Sequence, residues 1–172
     1  MMGGVLVVGE SLVDIVRQPD GSTTEAVGGS PANVAVGLGR LGRDVVLLTD
    51  IGDDDAGDRI AAHLSRSGVR VIGQRAGRSS SATARIRADG SASYDFDLKW
   101  DPPASGFDVS AFGAIHVGSV AAFMEPGAAH VRRLVAESPG LRCFDPNVRA
   151  ALMPAREVAL HGFTAIARDA DV

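Results

Sequence analysis

The sequence is poor in several things, and each shortage excludes a class of protein. It has a single cysteine, Cys143, in 172 residues, which leaves no disulfide framework and no cysteine-rich metal site. Cys143 lies in an apolar run and reads as a small buried residue. No apolar stretch approaches the length of a membrane-crossing helix. The start, MMGGVLVVGE, has no basic n-region and reads as a first strand rather than a signal peptide; a cytoplasmic protein is the expectation. There is no basic run, and 17 basic residues face 21 acidic ones for a net charge of -4. Nucleic acid and anionic membrane surfaces are therefore unsuited as partners. His63, His116, His130 and His161 are scattered without ligand spacing and read as structural, so no metal site is expected. There is no internal repeat and no low-complexity segment. What remains, 45% hydrophobic and 22% charged, is the mix of a soluble globular domain with a sizeable core.

Taken in order, the pattern alternates strands with helices. Val5 to Val8 is a continuous apolar run, as expected of a strand buried on both faces. Leu12 to Val16 is extended, with Val13 and Ile15 on one side and Asp14 on the other. After a turn at Gln18 to Ser22 the chain returns extended from Thr23 to Val27. Asp44 to Thr49 is a buried strand, and a helix follows from about Ala56 to Ser67, with Ile60, Ala61 and Leu64 facing inward. Asp53, Asp54 and Asp55 stand before that helix as cap and dipole residues. Val69 to Ile72 is a short strand, and Arg75 to Ser81 is loop. Ala82 to Ala88 and Ser91 to Phe96 alternate about Asp89-Gly90, a two-residue hairpin signal. Trp100 follows, either anchoring that hairpin or simply packing, before Asp101-Pro102-Pro103 breaks the pattern. Further strands are expected at Ala114 to Val117 and Leu141 to Phe144, with helices at Pro126 to Glu137 and from near Pro154. Another strand is expected just where the chain ends at Val172.

This alternation predicts an α/β fold: an open, mostly parallel sheet with helices on both faces, a Rossmann-type three-layer arrangement. The hairpin and the segment after Gly9 break the alternation and are expected to pair as a small separate sheet. Ligands of open α/β sheets bind beyond the carboxyl ends of the strands. Gly9 and Glu10, Asp50, Gly52 and Asp53, Gly118 and Ser119, and Asp145, Asn147 and Arg149 all follow predicted strands. One polar cleft at that edge is the expectation.

The richest stretch is Gly28 to Gly42, GGSPANVAVGLGRLG. Ser30 is placed to cap a helix, Pro31 suits its first turn, and Gly42 suits a left-handed C-cap. Ala32, Ala35, Val36 and Gly39 form a flat face that admits close packing. Gly28 and Gly29 let a ligand approach the main chain. Asn33, in the first turn, both donates and accepts hydrogen bonds. On these residues alone, a polyhydroxy-ligand site and an ordinary helix entry fit equally well. The stretch is neither a Walker A loop, since no Gly-Lys-Ser/Thr follows, nor a dinucleotide fingerprint, which would follow its strand directly.

Long and gapless, this stretch resembles the N-terminal signature of the ribokinase-like (PfkB) carbohydrate kinases. The segment GE-x-LVDIV, Gly9 to Val16, is similar to the start of the family's fructokinases, and DPNVR, Asp145 to Arg149, resembles their D-x-N-x-R segment. The resemblance implies that Asp14 holds sugar hydroxyls, although on its chemistry alone it reads as a solvated strand residue. It implies further sugar contacts at Gly28, Gly29 and Asn33. It places Phe96 either near the sugar or in the core of a small β-sheet lid. Asn147 and Arg149 would lie near the transferred phosphate, Arg149 supporting the transition state through its fork of donors. ATP and Mg2+ are the implied cofactors, and a homodimer through the lid edge is a possible partner arrangement.

The family's catalytic base comes from a DTxGAGD-type motif, and none occurs here. The resemblance therefore covers residues 1–172 as the N-terminal part of one ribokinase-like domain. Lid segments fall at roughly 11–27 and 82–98, and the nucleotide-binding and catalytic part is absent. The expected function is an ATP-dependent kinase of a hydroxymethyl group on a small sugar, fructose-like. This chain would be its sugar-binding portion, inactive alone. Ribose, adenosine and 2-keto-3-deoxygluconate are alternative acceptors, and a non-catalytic sugar- or nucleoside-binding half-domain is the alternative outside the kinases.

Overall fold

The computed structural model describes residues 3–75, 77–102 and 108–172. Among them, nine strands form two sheets. The larger sheet contains β1 (Val5–Val8), β4 (Val45–Leu48), β5 (Val69–Ile72), β8 (Ala114–Gly118) and β9 (Leu141–Asp145), ordered β5-β4-β1-β8-β9 and parallel throughout. Helices α1 (Ser30–Arg40) and α2 (Asp55–Arg66) cover one face, and α3 (Gly127–Glu137) and α4 (Arg156–Ala167) belong to the other.

Each face of this sheet carries its own core, because alternate strand residues point to opposite sides. Val7, Val45 and Leu47 pack with Ala32, Ala35, Ile60 and Leu64. Leu6, Val8, Val46, Leu48, Ile115 and Val117 pack with Val131, Leu134, Val135 and Ile166. Each such buried side chain contributes about 1.5–3 kcal/mol, so the sheet is a rigid platform for what its loops carry. Trp100 is 2% exposed and joins the second of these clusters; it is core packing and not part of the lid.

The smaller sheet is built from β2 (Leu12–Arg17), β3 (Thr23–Gly28), β6 (Ser81–Ile86) and β7 (Ala92–Asp97), ordered β3-β2-β6-β7. The two expected segments do pair: β2 runs parallel to β6, with Asp14 opposite Ala82. One face sets Val13, Ile15 and Val27 against the α1/α2 core. In register on the other face stand Asp14 and Val16, Ala82 and Ala84, Tyr94 and Phe96.

Both hairpins of this sheet close in the same way. Arg87 N donates to Ser91 O and Gly90 N to Arg87 O; Gln18 N donates to Ser22 O and Gly21 N to Gln18 O. The β6–β7 loop therefore has three residues, not the two expected of Asp89-Gly90, and Gly90 ends it in the left-handed region at φ +81°. In each loop an aspartate, Asp20 or Asp89, accepts from the backbone N–H two residues on, at 2.9 Å.

Several local expectations shift. Gly29, not Ser30, is the N-cap of α1, and Ser30 is its first residue with no capping bond from the side chain. At the other end, Arg43 N donates to Leu38 O and Gly42 N to Gly39 O, with Gly42 at φ +76°; this is the Schellman pattern that Gly42 suggested. Cys143 is half-buried, not buried, and burial raises its thiol pKa. α4 begins at Arg156, after a 3₁₀ turn over Ala150–Leu152. Pro103 of the expected break and Ala76 of the expected loop lie outside the described residues.

Candidate sugar and phosphate cleft

Beyond the carboxyl ends of β1, β8 and β9, beneath the small sheet, lies a cavity of about 390 Å³. That falls within the roughly 300–1,000 Å³ usual for small-molecule sites. Asp14, Gly29, Asn33, Phe96, Asn147 and Arg149 all line it. Residues spread over most of the chain thus face one hollow, from β2, the start of α1, β7 and the turn after β9.

The α1 side is shaped by main-chain geometry. Gly29 takes φ +101° and ψ 126° as N-cap, a conformation that a side chain rarely adopts. It turns the chain directly over the Glu10 carbonyl, which a Cβ would crowd at 2.5 Å. Asn33 N donates to Gly29 O at 2.9 Å, which fixes the first turn and leaves the Asn33 amide exposed in the cavity. Gly28 does not line the hollow. It sits behind Asp14, whose carboxylate occupies the space a Cβ on residue 28 would need.

Asp14 projects from β2 into the cavity. Desolvation raises its carboxyl pKa above the ordinary 3.8. Among the described residues no hydrogen bond opposes that rise, so its acceptor oxygens are available to a ligand. Phe96 lines the same space from β7 and stacks on Tyr94, with ring centroids 6.2 Å apart. That aromatic wall offers an apolar surface beside the polar groups.

The floor contains a residue whose role the sequence reading did not single out. Glu10 is 5% exposed, at the end of β1. Its carboxylate accepts from Ala121 N at 3.3 Å. Burial raises its pKa, opposed by hydrogen bonds from the Ser119 side chain and from the Ala121 and Ser30 backbone. It thereby ties the start of α1 to the turn after β8. Ser119, in that turn, holds a positive φ of 55°, an unusual state for a non-glycine residue and one that recurs at functional sites. Only position after a strand pointed to Glu10 and Ser119; their pairing depends on contacts more than a hundred residues apart.

At the end of β9, Asp145 Oδ1 accepts from Asn147 N at 3.1 Å and Asn147 takes φ +38°. Asparagine tolerates that conformation better than most residues, so DPN forms a tight side-chain-stabilised turn. The turn directs Arg149, which is exposed and lines the cavity. A guanidinium beside a polar hollow is suited to a phosphate.

The residues after β4 do not join this cleft, contrary to expectation. Asp50 Oδ2 accepts from Asp101 N at 2.7 Å and burial raises its pKa, while Gly52 N donates to the Ser79 hydroxyl at 3.2 Å. Asp54 caps α2, its side chain accepting from Gly57 N at 2.8 Å and from Ser79 N and Oγ. His116 is absent from the cavity lining; burial lowers its pKa, and Asp145 partly opposes this. Among the described residues, no three of His, Cys, Asp and Glu gather to hold a metal ion, and no helix is long and apolar enough to cross a membrane.

The chain is similar to several known proteins over nearly its whole length. Fructokinase-2 of Solanum lycopersicum is 32% identical over 190 residues, 99% of this chain and 58% of that protein. A fructokinase structure from Xylella fastidiosa superposes with a TM-score of 0.84 at 24% identity, over 97% of this chain and 57% of that one. A second structure of fructokinase from that organism, with bound ATP, gives 0.82 at 24% identity, over 99% and 60%. The chain thus spans a little over half the length of the relatives it matches. The description "pfkB family carbohydrate kinase" fits residues 2–167, and with a parallel sheet, a β-sheet lid and a polar cleft between them, the chain belongs to the pfkB carbohydrate kinase family.

Proposed function

We propose that this chain is the sugar-binding, N-terminal part of an ATP-dependent kinase that phosphorylates a hydroxymethyl group of a small sugar, fructose being the favoured acceptor. One observation carries the reading. A single cavity unites a carboxylate with no hydrogen-bond partner among the described residues, Asp14, an exposed amide, Asn33, an aromatic wall, Phe96, and an arginine, Arg149. A polyol requires acceptors and donors on one side and an apolar surface on another; phosphoryl transfer requires cationic stabilisation at the far end. In this reading Asp14 and Asn33 hold sugar hydroxyls, with Gly29 giving the main chain its close approach and Gly28 leaving room for the Asp14 carboxylate. Asn147 and Arg149 meet the phosphate. ATP would supply the phosphoryl group, and its Mg2+ would travel with the nucleotide phosphates.

Support for fructose comes from the fructokinases that the chain resembles over nearly its whole length. Those relatives are longer, and the residues here include no DTxGAGD-type segment to supply a base. The 172-residue chain is therefore expected to bind sugar and to form no ADP. A polypeptide continued through such a segment is expected to form ADP in the presence of fructose. Sugar-dependent ADP production by the 172 residues alone refutes the division of labour; its absence from the continued polypeptide with every sugar tried refutes the kinase reading. An open edge of the lid, β3 or β7, would serve a homodimer, which sedimentation of the purified protein tests.

A further inference from the structure

A second cavity, of about 260 Å³, lies on the opposite side of the lid from Asp14. Val13, Ala26, Val27 and Ala62 line part of it, and Glu25, Arg59, His63 and Arg66 supply its polar groups. Three of those four are basic, in a chain whose net charge is -4. Arg59 is paired with Glu25 of β3 at 2.6 Å. Arg66 has no carboxylate partner among the described residues, unlike Arg70, Arg75, Arg132 and Arg142. Arg40, at the last turn of α1, is likewise without a carboxylate partner among the described residues. Burial lowers the His63 pKa, and Arg40 and Arg66 lower it further. The charged groups around His63 are therefore Arg40 of α1, Arg59 and Arg66 of α2, and Glu25 of β3. Their sum is positive.

Positive groups beside an apolar wall attract an anion more strongly than the same groups in open water. Arginine presents paired donors that match phosphate oxygens. We propose that this cavity is a binding site for a small phosphate dianion, separate from the sugar cleft, with Arg59, His63 and Arg66 as its donors and Arg40 adding positive charge nearby. A dianion there competes with Glu25 for Arg59, the ion pair that joins the lid to α2. Occupancy is thus read both at His63 and at the lid.

The His63 ring signals, followed by NMR, test this without recourse to the kinase reading. Inorganic phosphate and glycerol 3-phosphate are titrated into the protein at constant ionic strength set with chloride, with glycerol as the uncharged control. Saturable shifts with either phosphate, and a raised His63 pKa, are expected; the tighter of the two identifies a free phosphate or a phosphomonoester as the ligand. Arg66→Ala is expected to weaken the response about tenfold or more, and Arg149→Ala to leave it unchanged. No saturation with either phosphate, an unchanged response in Arg66→Ala, or loss of the His63 response in Arg149→Ala overturns the proposal.

Discussion

Gly28 and Asp14 share one space: the Asp14 carboxylate lies where a Cβ on residue 28 would have to be. The two residues are on neighbouring strands, with Leu12 opposite Gly28 and Asp14 opposite Ala26. Glycine at 28 thus lets the carboxylate lean along the strand and remain inside the cleft.

Gly28→Ala should therefore move Asp14 while the fold stays intact, because a side-chain end gives way more easily than backbone. The expected loss is that of a charge-assisted hydrogen bond, about 1.5–3 kcal/mol, or roughly 10- to 100-fold in sugar dissociation constant. Calorimetric titration with fructose checks the affinity, and thermal unfolding checks the fold. A large fall in Tm with unchanged affinity would contradict this account.

Asp14 also sets a pH dependence. Its pKa is raised above 3.8 by desolvation, so the ionised acceptor is lost at a higher pH than for an ordinary aspartate. Sugar affinity is expected to decline on acidification from above that raised pKa, and Asp14→Asn should remove the decline while weakening binding. Because the folded pKa is the higher one, the ionised carboxylate costs the apo fold stability above the unfolded pKa, and acidification through this range relieves that cost. Ligand titrations at several pH values, in parallel with apo unfolding, separate the two opposite trends. In a polypeptide continued through a DTxGAGD-type segment, the proposed function predicts that Asp14→Ala weakens sugar far more than nucleotide, and equal losses would contradict its role.

Much of this arrangement is readable in residue order. The apolar runs at Val5–Val8 and Val45–Leu48 can only be central strands, and Gly42 after α1 announces its C-cap. Asp14 and Val13 face opposite ways because strand residues alternate. The family resemblance picks out Asp14, Asn33 and Arg149, and the folded chain sets them around one cavity. What escapes the sequence is decided by distant partners. Ser30 looks like a cap, yet Gly29 reaches the required backbone geometry and displaces it. Asp50 follows a strand like the cleft residues, yet the backbone N–H of Asp101 captures it. Glu10 draws its importance from Ser30, Ser119 and Ala121, and no local pattern connects them.

Asp54 combines two tasks that a single substitution would expose. It caps α2 through Gly57 N and holds Ser79 through two further bonds at 2.8 and 2.6 Å. Asp54→Ala should cost at least the usual cap loss of about 1 kcal/mol. The Ser79 bonds lower its carboxyl pKa below 3.8. Its contribution is therefore present above the unfolded pKa and is lost as pH falls through the folded one. Denaturant midpoints of wild type and variant should converge at acid pH. A difference that persists unchanged well below pH 3.8 would show that the carboxylate is not its source.

Gly39 offers the sharpest conflict between local preference and packing. It lies inside α1, where alanine is favoured over glycine by roughly 1 kcal/mol. On propensity alone, Gly39→Ala should stabilise the helix. A Cβ at this position, however, would overlap the carbonyl oxygen of Ser67, just beyond α2, and press on Val69 Cγ2 at 3.3 Å. Ser67 is buried, and its carbonyl is backbone fixed between the end of α2 and β5, so it cannot swing aside as a side chain can. Overpacking of this kind costs about 1–3 kcal/mol, which outweighs the propensity gain. Gly37, two residues earlier, has nothing within 4 Å of its would-be Cβ and serves as the control. Gly37→Ala should raise the unfolding free energy and Gly39→Ala should lower it, in the same denaturant titration. If both variants are stabilised, the flat face of α1 is not what brings α1 and the end of α2 together.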